Sequence, residues 1–279
     1  MSEPGPEVHE RAYAKVNLVL HVGRPRPDGL HTLCSIFASL DLADDVHVRP
    51  AADGADDIRC PGVDGPNLAA AALAAFRERF ASLAALQVQI TKRIPVAAGL
   101  GGGSADAAAV LRAANRIAGD PLGPGRLREI AAALGSDVPS QVDPRHALVT
   151  GVGEAVEPIR LPELAVVLAP QAEGLRTSAV YEELDRAGGW REHLDPAAVR
   201  AIAEADPSTW TLENDLQAAA LSLRPELAGV LERLRSAGAL AALVSGSGPT
   251  CFGLFGDLAA ARAAAEAVPG AIAVRLRAH

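Results

Sequence analysis

Apolar and polar residues alternate at the start of the chain, as they do in a β-strand with one buried face. Valine and leucine occupy every second position from 16 to 22, which predicts a half-buried strand over residues 11–23. Two prolines, an aspartate and a glycine break the pattern at residues 25–29, and strand character returns at residues 46–48. We therefore expect the chain to open with a sheet.

The next segment carries the pattern of a helix followed by a strand. An Ala- and Leu-rich stretch follows Asn67, a residue type that caps helices, and predicts a helix over residues 67–80. Alternation then predicts a strand over residues 86–94, with Lys92 on its inward face. A glycine-rich turn comes directly after this strand.

Two more helices are expected in the first half. Ser104 can cap a helix that ends before Gly119, and a shorter helix is expected over residues 125–134. The first of these helices has an apolar stripe at helical spacing, made of Ala107, Val110, Leu111, Ala114 and Ile117.

The second half alternates strands and helices. The predicted elements are a strand over residues 164–170, a helix over 177–187, two or three helices up to 237, strands over 240–245 and 250–255, a helix over 258–268 and a strand over 271–276. Without the extra helices this order is β-α-β-β-α-β, that of ferredoxin-like domains. Because 279 residues exceed the usual size of one domain, we expect two, residues 1–160 and 161–279.

Composition excludes several classes of protein. A net charge of −8 argues against nucleic acid as a partner, since that polymer requires a concentrated basic face. Cys34, Cys60 and Cys251 have no metal-ligand spacing and are expected to be small buried residues in a reducing compartment. The N-terminus is acidic and Pro-rich, unlike a signal peptide, so a cytoplasmic location is expected.

One uncharged run is long enough to cross a bilayer. Residues 236–256 contain no charged side chain, but they include five glycines and Pro249. Glycine and proline at this density favour two buried strands joined by a turn. We therefore expect no membrane partner.

The glycine-rich turn (residues 95–104) carries the chemistry that the sequence indicates most clearly. Four glycines in five residues lie between a predicted strand and a predicted helix. Backbone N–H groups in such a turn can converge on an anion, which the helix dipole also favours. The segment is neither a Walker A loop nor a dinucleotide fingerprint. It predicts a phosphate site, and the alternative is a tight turn between strand and helix.

Three further segments are weak evidence for a functional site when each is taken alone. Lys15 and Asn17 share one face of a strand and can converge on one ligand, although a solvated sheet face is the commoner case. Asp137 follows a helix end and could accept a proton from an alcohol, or could be an ordinary turn residue. A second glycine turn, residues 244–249, joins two predicted strands.

These segments, in this order, resemble the GHMP kinase superfamily. Three stretches match the motifs of the superfamily, residues 14–17, 95–107 and 244–249, and residues 14–18, 28–32, 99–104, 135–139 and 245–248 single out one group within it. The resemblance implies an α+β protein with an N-terminal ATP-binding α/β domain like the ribosomal S5 domain 2, and a C-terminal ferredoxin-like domain with extra helices that forms a wall of the substrate pocket. Within the superfamily the likeness is closest to kinases that act on 4-diphosphocytidyl-2-C-methyl-D-erythritol, in the non-mevalonate route to isoprenoid (terpenoid) precursors.

The resemblance also implies the reaction and its participants. ATP would phosphorylate the 2-hydroxyl of a small molecule that carries cytidine diphosphate, with Asp137 as the base and Lys15 stabilising negative charge. Phosphoryl transfer needs mainly positioning and charge neutralisation, which such a pair can supply. Mg²⁺ is expected with ATP, and Ser104 is its candidate contact.

Binding residues are implied by the same resemblance. The substrate would contact Asn17, His31, Thr177 and Tyr181, with His31 reading the cytosine edge, and the second glycine turn would lie near a ligand through Gly246, Ser247 and Gly248. The nucleotide would contact Asn67, Lys92, Pro95, Val96, Ala97, Ala98, Gly99, Leu100, Gly101, Gly102, Gly103, Ser104 and Ala105.

Two departures from the superfamily bear on the pocket. Leu30 stands where the related kinases usually have tyrosine before the histidine, which removes one stacking face for cytosine. Ser140 and Gln141 follow Asp137 where apolar or aromatic residues are common. Other superfamily kinases, acting on phosphomevalonate, homoserine or a sugar, remain alternatives, as does a non-catalytic nucleotide-binding protein.

Overall fold

The computed structural model of the chain describes residues 7–52, 54–63 and 67–278. The chain divides into two compact units. The first unit contains the residues up to Ala14, Leu42–Val96 and Gly101–Pro144, and the second contains Lys15–Asp41, Ala97–Leu100 and the residues from Arg145 on. The domain boundary at residue 160 stays a prediction.

Long strands start the chain, as the alternation predicts. Strand β1 is Val8–Pro25 and β2, which pairs with it, is His31–Pro50. The structure corrects two points: β2 begins at His31, well before the predicted return of strand character at residues 46–48, and from Ala14 to Leu20 every residue of β1 is buried, on both faces. The strand is therefore fully covered there, and the polar side chains on its second face lie inside the protein.

The first unit packs helices against one part of this sheet. Its remaining elements are β3 (Asp57–Arg59), α1 (Leu68–Arg79), β4 (Leu86–Thr91), α2 (Gly102–Ile117), α3 (Pro124–Ala132) and α4 (Val138–Gln141). Strand β4 pairs antiparallel with the second half of β2 and parallel with β3. Helix α1 packs against α2, and the alanines on the buried side of α2 let the two helices approach closely.

Asn67 begins α1 as expected. Its side-chain oxygen accepts a hydrogen bond from the N–H of Ala69 at 2.9 Å, which satisfies one of the free donors at the start of the helix. Ser104 does not cap α2, contrary to expectation. The helix starts two residues earlier, after Gly101, whose φ of 71° lies in the left-handed region that favours glycine.

The second unit contains the predicted ferredoxin-like element order. Its remaining elements are β5 (Ala147–Gly151), β6 (Ala155–Pro158), β7 (Ala165–Ala169), α5 (Thr177–Ala187), α6 (Pro196–Glu204), a 3₁₀ turn (Pro207–Thr209), α7 (Gln217–Leu223), α8 (Leu227–Ser236), β8 (Ala241–Val244), β9 (Cys251–Phe255), α9 (Leu258–Ala267) and β10 (Ile272–Arg275). One sheet has the order β10-β7-β9-β8, antiparallel throughout. Strands β5 and β6 pair with each other, and β5 also pairs with the first half of β2.

The uncharged run and the cysteines follow their predictions with one exception. Residues 236–256 form β8, the second glycine turn and β9. Cys34 and Cys251 are buried thiols, but Cys60 is only half-buried, because it follows the short strand β3 rather than lying inside an element. No helix among the described residues is long and apolar enough to cross a membrane.

Candidate active site

Lys15 and Asn17 are buried side by side on β1, in the second unit. The Lys15 ammonium donates to the Asn17 side-chain oxygen at 2.7 Å and lies 4.9 Å from the centroid of the Phe37 ring. The Asn17 amide donates to Ser35 Oγ at 2.9 Å. A lysine is almost never this buried without a partner or a function, so the solvated sheet face is excluded for this pair.

The middle of the glycine-rich turn also belongs to the second unit. The N–H of Lys15 donates to the carbonyl of Leu100 at 3.0 Å, which ties the turn to β1 beside the lysine. Gly99 has a φ of 75°, and a Cβ there would lie 2.7 Å from the carbonyl oxygens of Ser245 and Gly248. Gly99 is therefore required both by its backbone conformation and by close backbone packing.

The second glycine turn packs against both features. A Cβ on Gly246 would lie 3.2 Å from Asn17 Oδ1 and 3.7 Å from Lys15 Nζ. Ser245 Oγ donates to the Gly99 carbonyl at 3.0 Å. The three motifs that are separated in sequence thus meet around the Lys15 ammonium.

Asn214 holds this turn in place and was not identified from the sequence. Its buried amide donates to the carbonyls of Val244 and Gly246, both at 2.8 Å, and its oxygen accepts from the N–H of Leu216. A single Asn between two acidic residues before a helix has no motif of its own. Only the fold shows that it contacts the glycine turn.

Thr177 and Ser247 extend the same group of polar atoms. Thr177 is the first residue of α5, and its hydroxyl lies 3.0 Å from that of Ser247 in the second glycine turn. The structure therefore brings one predicted substrate contact to the turn that Gly246 and Gly248 belong to. Its role in binding stays a prediction.

His31 and Tyr181 form a pair of rings in the same unit. Their centroids are 5.1 Å apart with a tilt of 41°. One His31 nitrogen lies 2.8 Å from the Gly23 carbonyl and the other 3.3 Å from an Asp185 carboxylate oxygen, a contact that sequence analysis missed. The side chain of Leu30 is 49% exposed, so it offers an apolar surface, but it provides no aromatic ring beside those of His31 and Tyr181.

The two ends of the glycine-rich turn lie in the first unit. Ala105 N–H donates to the Gly101 carbonyl at 2.9 Å, so the N–H groups of Gly102, Gly103 and Ser104 precede the first intrahelical bond of α2. Such N–H groups and the helix dipole favour an anion. At the other end, Pro95 is half-buried and Val96 is exposed.

Lys92 is bound by two carboxylates in this unit. Its ammonium donates to Asp44 Oδ2 and Asp106 Oδ2, both at 2.6 Å. Burial, opposed by the charge of Lys92, raises the pKa of Asp106 to about 7. The contact of Lys92 with a nucleotide stays a prediction. If it forms, the ammonium would make it in addition to its bonds with Asp44 and Asp106.

Asp137 directly precedes the short helix α4, in the first unit. It is half-buried, and its carbonyl accepts from Ser140 Oγ at 2.8 Å. Gln141 is also buried, and its carbonyl accepts from Arg112 at 2.6 Å. Of the two residues that depart from the related kinases at this point, only Ser140 contributes its side chain to these bonds, because Arg112 bonds the backbone carbonyl of Gln141.

Comparison with known proteins agrees with the motif pattern. The family model for the N-terminal domain of GHMP kinases matches residues 67–143, and that for their C-terminal domain matches residues 194–273. Together these matches cover more than half of the chain. The chain belongs to the GHMP kinase family.

Several relatives share one name. The 4-diphosphocytidyl-2-C-methyl-D-erythritol kinase of Streptomyces coelicolor is 44% identical over 86% of this chain and 85% of its own length. That of Anaeromyxobacter dehalogenans is 45% identical over 93% and 84%. A crystal structure of 4-(cytidine 5'-diphospho)-2C-methyl-D-erythritol kinase superposes with a TM-score of 0.85 at 35% identity, covering 98% of this chain and all of that one.

Proposed function

We propose that this GHMP kinase transfers the γ-phosphoryl group of ATP to the 2-hydroxyl of 4-diphosphocytidyl-2-C-methyl-D-erythritol, giving ADP and the 2-phosphate. The observation that carries the proposal is the meeting of β1, the glycine-rich turn and the second glycine turn around Lys15. A buried ammonium between two glycine turns suits a reaction that accumulates negative charge. The names of the relatives supply the substrate.

The nucleotide half of the reaction rests on the glycine-rich turn. Its backbone N–H groups, among them those of Gly102, Gly103 and Ser104 in the first turn of α2, can bind the phosphates. Asn67 uses its side-chain oxygen to cap α1, and its side chain also bonds Cys60, so a contact with the nucleotide would come from a remaining N–H of its amide group.

Two residues are assigned to the acceptor alcohol. Asp137 takes the proton of the 2-hydroxyl, and Lys15 stabilises the charge that develops on the oxygens. Asn17 holds the lysine in position through its 2.7 Å contact. Because the transferred group needs little covalent assistance, a carboxylate base and an ammonium at the alcohol would account for most of the expected catalysis.

The cytidine end is assigned to the paired rings of His31 and Tyr181. Two aromatic rings 5.1 Å apart provide apolar faces on which a pyrimidine can pack. Thr177 and Ser247 offer hydroxyls for the polar groups of the substrate. Leu30 supplies apolar contact in place of a further ring.

Mg²⁺ suits the donors of the nucleotide site. It prefers oxygen ligands and usually keeps several waters and phosphate oxygens, and the Ser104 hydroxyl would supply one oxygen ligand from the protein. The ion would neutralise part of the phosphate charge. We also place the protein in the cytoplasm, where its three free thiols would stay reduced.

ADP release with a panel of alcohols tests the proposal. The panel contains the cytidylylated methylerythritol, phosphomevalonate, homoserine and galactose, each with ATP and Mg²⁺. We expect turnover with the first compound alone. Turnover of one of the other three, with none on the cytidylyl compound, would assign the chain to another GHMP activity, and ATP binding without any turnover would make it a nucleotide-binding protein.

A further inference from the structure

A buried group of charges lies under the start of α2, in the first unit. Asp44, Lys92 and Asp106 (the charge cluster) come from β2, the residue after β4 and the second turn of α2. Both carboxylates bond the one ammonium, and the side chain of Asp44 is fully buried. One oxygen of Asp106 is buried with no hydrogen-bond partner among the described residues.

This arrangement has no simple stabilising purpose. Two buried carboxylates share one ammonium, and such clusters are often no more stable than apolar residues of similar volume. We therefore examine whether the charge cluster fixes the conformation of the backbone around it.

Asp44 fixes the chain just before the glycine-rich turn. One of its oxygens accepts the N–H of Ile94 at 2.8 Å and also the N–H of Arg93. Its other oxygen accepts from Lys92. The three residues that lead into the turn are thus held by a single carboxylate.

The cluster also touches the first residue of α2. A Cβ built on Gly102 would lie 3.1 Å from Ile94 Cγ2 and 3.3 Å from Lys92 Nζ. Asp106, one turn further along α2, bonds the same ammonium. Ile94 and Lys92 therefore lie beside the start of α2, and Asp106 joins the ammonium to the second turn of the same helix.

We propose that Asp44 and Asp106, acting through Lys92, are positioning residues that hold the N–H groups of Gly102, Gly103 and Ser104 in place for the phosphates of ATP. The inference rests on the proposed function, because it assumes that these N–H groups face ATP. It assigns the carboxylates to the phosphate part of the nucleotide and not to its nucleoside.

The test separates binding of phosphates from binding of the nucleoside. Asp106→Ala removes the acceptor on α2, and Asp106→Asn restores an acceptor without its charge. Inhibition constants for ADP and adenosine, and KM for ATP and for the alcohol, are measured for each. We expect Asp106→Ala to raise KM for ATP and the ADP constant by about tenfold, with Asp106→Asn in between and the adenosine constant and alcohol KM unchanged.

Asp56→Ala is the matched control. Asp56 lies at the opposite end of β4, where it pairs with Arg77 and accepts the N–H of Leu86 at 2.8 Å, so it makes the same kinds of contact as Asp44. We expect this variant to lose stability and to keep the wild-type constants. If it raises the ADP constant as much as Asp106→Ala does, the cluster acts only through general stability and the proposal fails.

Other outcomes are equally decisive. Equal weakening of ADP and adenosine would place the cluster at the nucleoside, and an unchanged ADP constant in a folded Asp106→Ala variant would leave it no role in phosphate binding; either result overturns the proposal. Asp106→Asn, which is isosteric, carries the test if the alanine variant does not fold. A wild-type protein that binds neither ADP nor adenosine would instead refute the proposed function.

Discussion

At the scale of single residues, Asp137 is the assignment that one substitution tests most directly. Asp137→Asn keeps the shape of the side chain and removes its ability to accept the hydroxyl proton. We expect kcat to fall by ~10²–10⁴, with binding of ADP nearly intact. Single-turnover and steady-state rates with the cytidylyl substrate measure the change. Wild-type turnover in this variant would remove Asp137 from the mechanism.

Gly246 offers a second residue-scale test when it is compared with Gly119, another glycine in the left-handed region. Gly246 and Gly119 both have left-handed φ values, 57° and 85°, but a Cβ on Gly246 meets Asn17 and Lys15, whereas a Cβ on Gly119 meets nothing within 4 Å. Alanine at either site should reduce the free energy of unfolding by about 1–2 kcal/mol.

Only Gly246→Ala should also reduce kcat, by about tenfold or more, because the methyl group displaces the Asn17 oxygen that holds Lys15. Thermal unfolding and steady-state kinetics on the two variants give the comparison. Equal kinetic effects would mean that backbone strain, and not contact with the Lys15 pair, limits the reaction.

At the scale of elements, Asn214 connects the segment before α7 to the second glycine turn. Asn214→Ala leaves the carbonyls of Val244 and Gly246 buried without this donor, and each unsatisfied group costs about 1–3 kcal/mol. Asn115 is the matched control, since its amide donates to Asp120 and to the Leu122 carbonyl and holds the loop after α2. We expect both alanine variants to lose Tm and only Asn214→Ala to lose kcat. Similar kcat values in the two would show that Asn214 serves stability alone.

Some helix bounds and caps could be predicted from the sequence alone, and others could not. The predicted helix over residues 177–187 has the observed bounds of α5, and Asn67 caps α1, because periodicity and capping are local properties. Ser104 failed as a cap because Gly101 reaches a backbone conformation that lets the helix begin earlier. The full burial of β1 depends on residues distant in sequence, which no pattern along one strand reveals.

In the candidate site, too, residues with a local sequence signal were predicted and residues that depend on distant contacts were not. Lys15, Asn17 and both glycine turns were identified because each stands out locally or through the family resemblance. Asn214, Asp185 and Asp44 were missed because they act through contacts 30 to 154 positions away in the chain. Isolated polar residues of this kind carry no signal until the fold brings their partners to them.

At the scale of the whole molecule, two buried thiols make stability depend on alkaline pH. Burial raises the pKa of Cys34 to about 11 and that of Cys251 to about 12, from an ordinary value of 9.0. Above pH 9 the unfolded chain loses these protons while the native protein keeps them. Their contribution to stability is therefore fully present below about pH 9 and is lost as the pH rises toward 11 and 12.

The size of this effect follows from linkage. At pH 10 each thiol should reduce the free energy of unfolding by about 1 kcal/mol, relative to pH 8. Urea unfolding of the wild type and of a Cys34→Ala, Cys251→Ala variant at both pH values measures it, because lysines and tyrosines titrate alike in the two proteins. The wild type should lose about 2–3 kcal/mol more than the variant between pH 8 and pH 10. Equal losses would mean that these thiols ionise as readily in the native protein as in the unfolded chain, and that neither is sealed in a core.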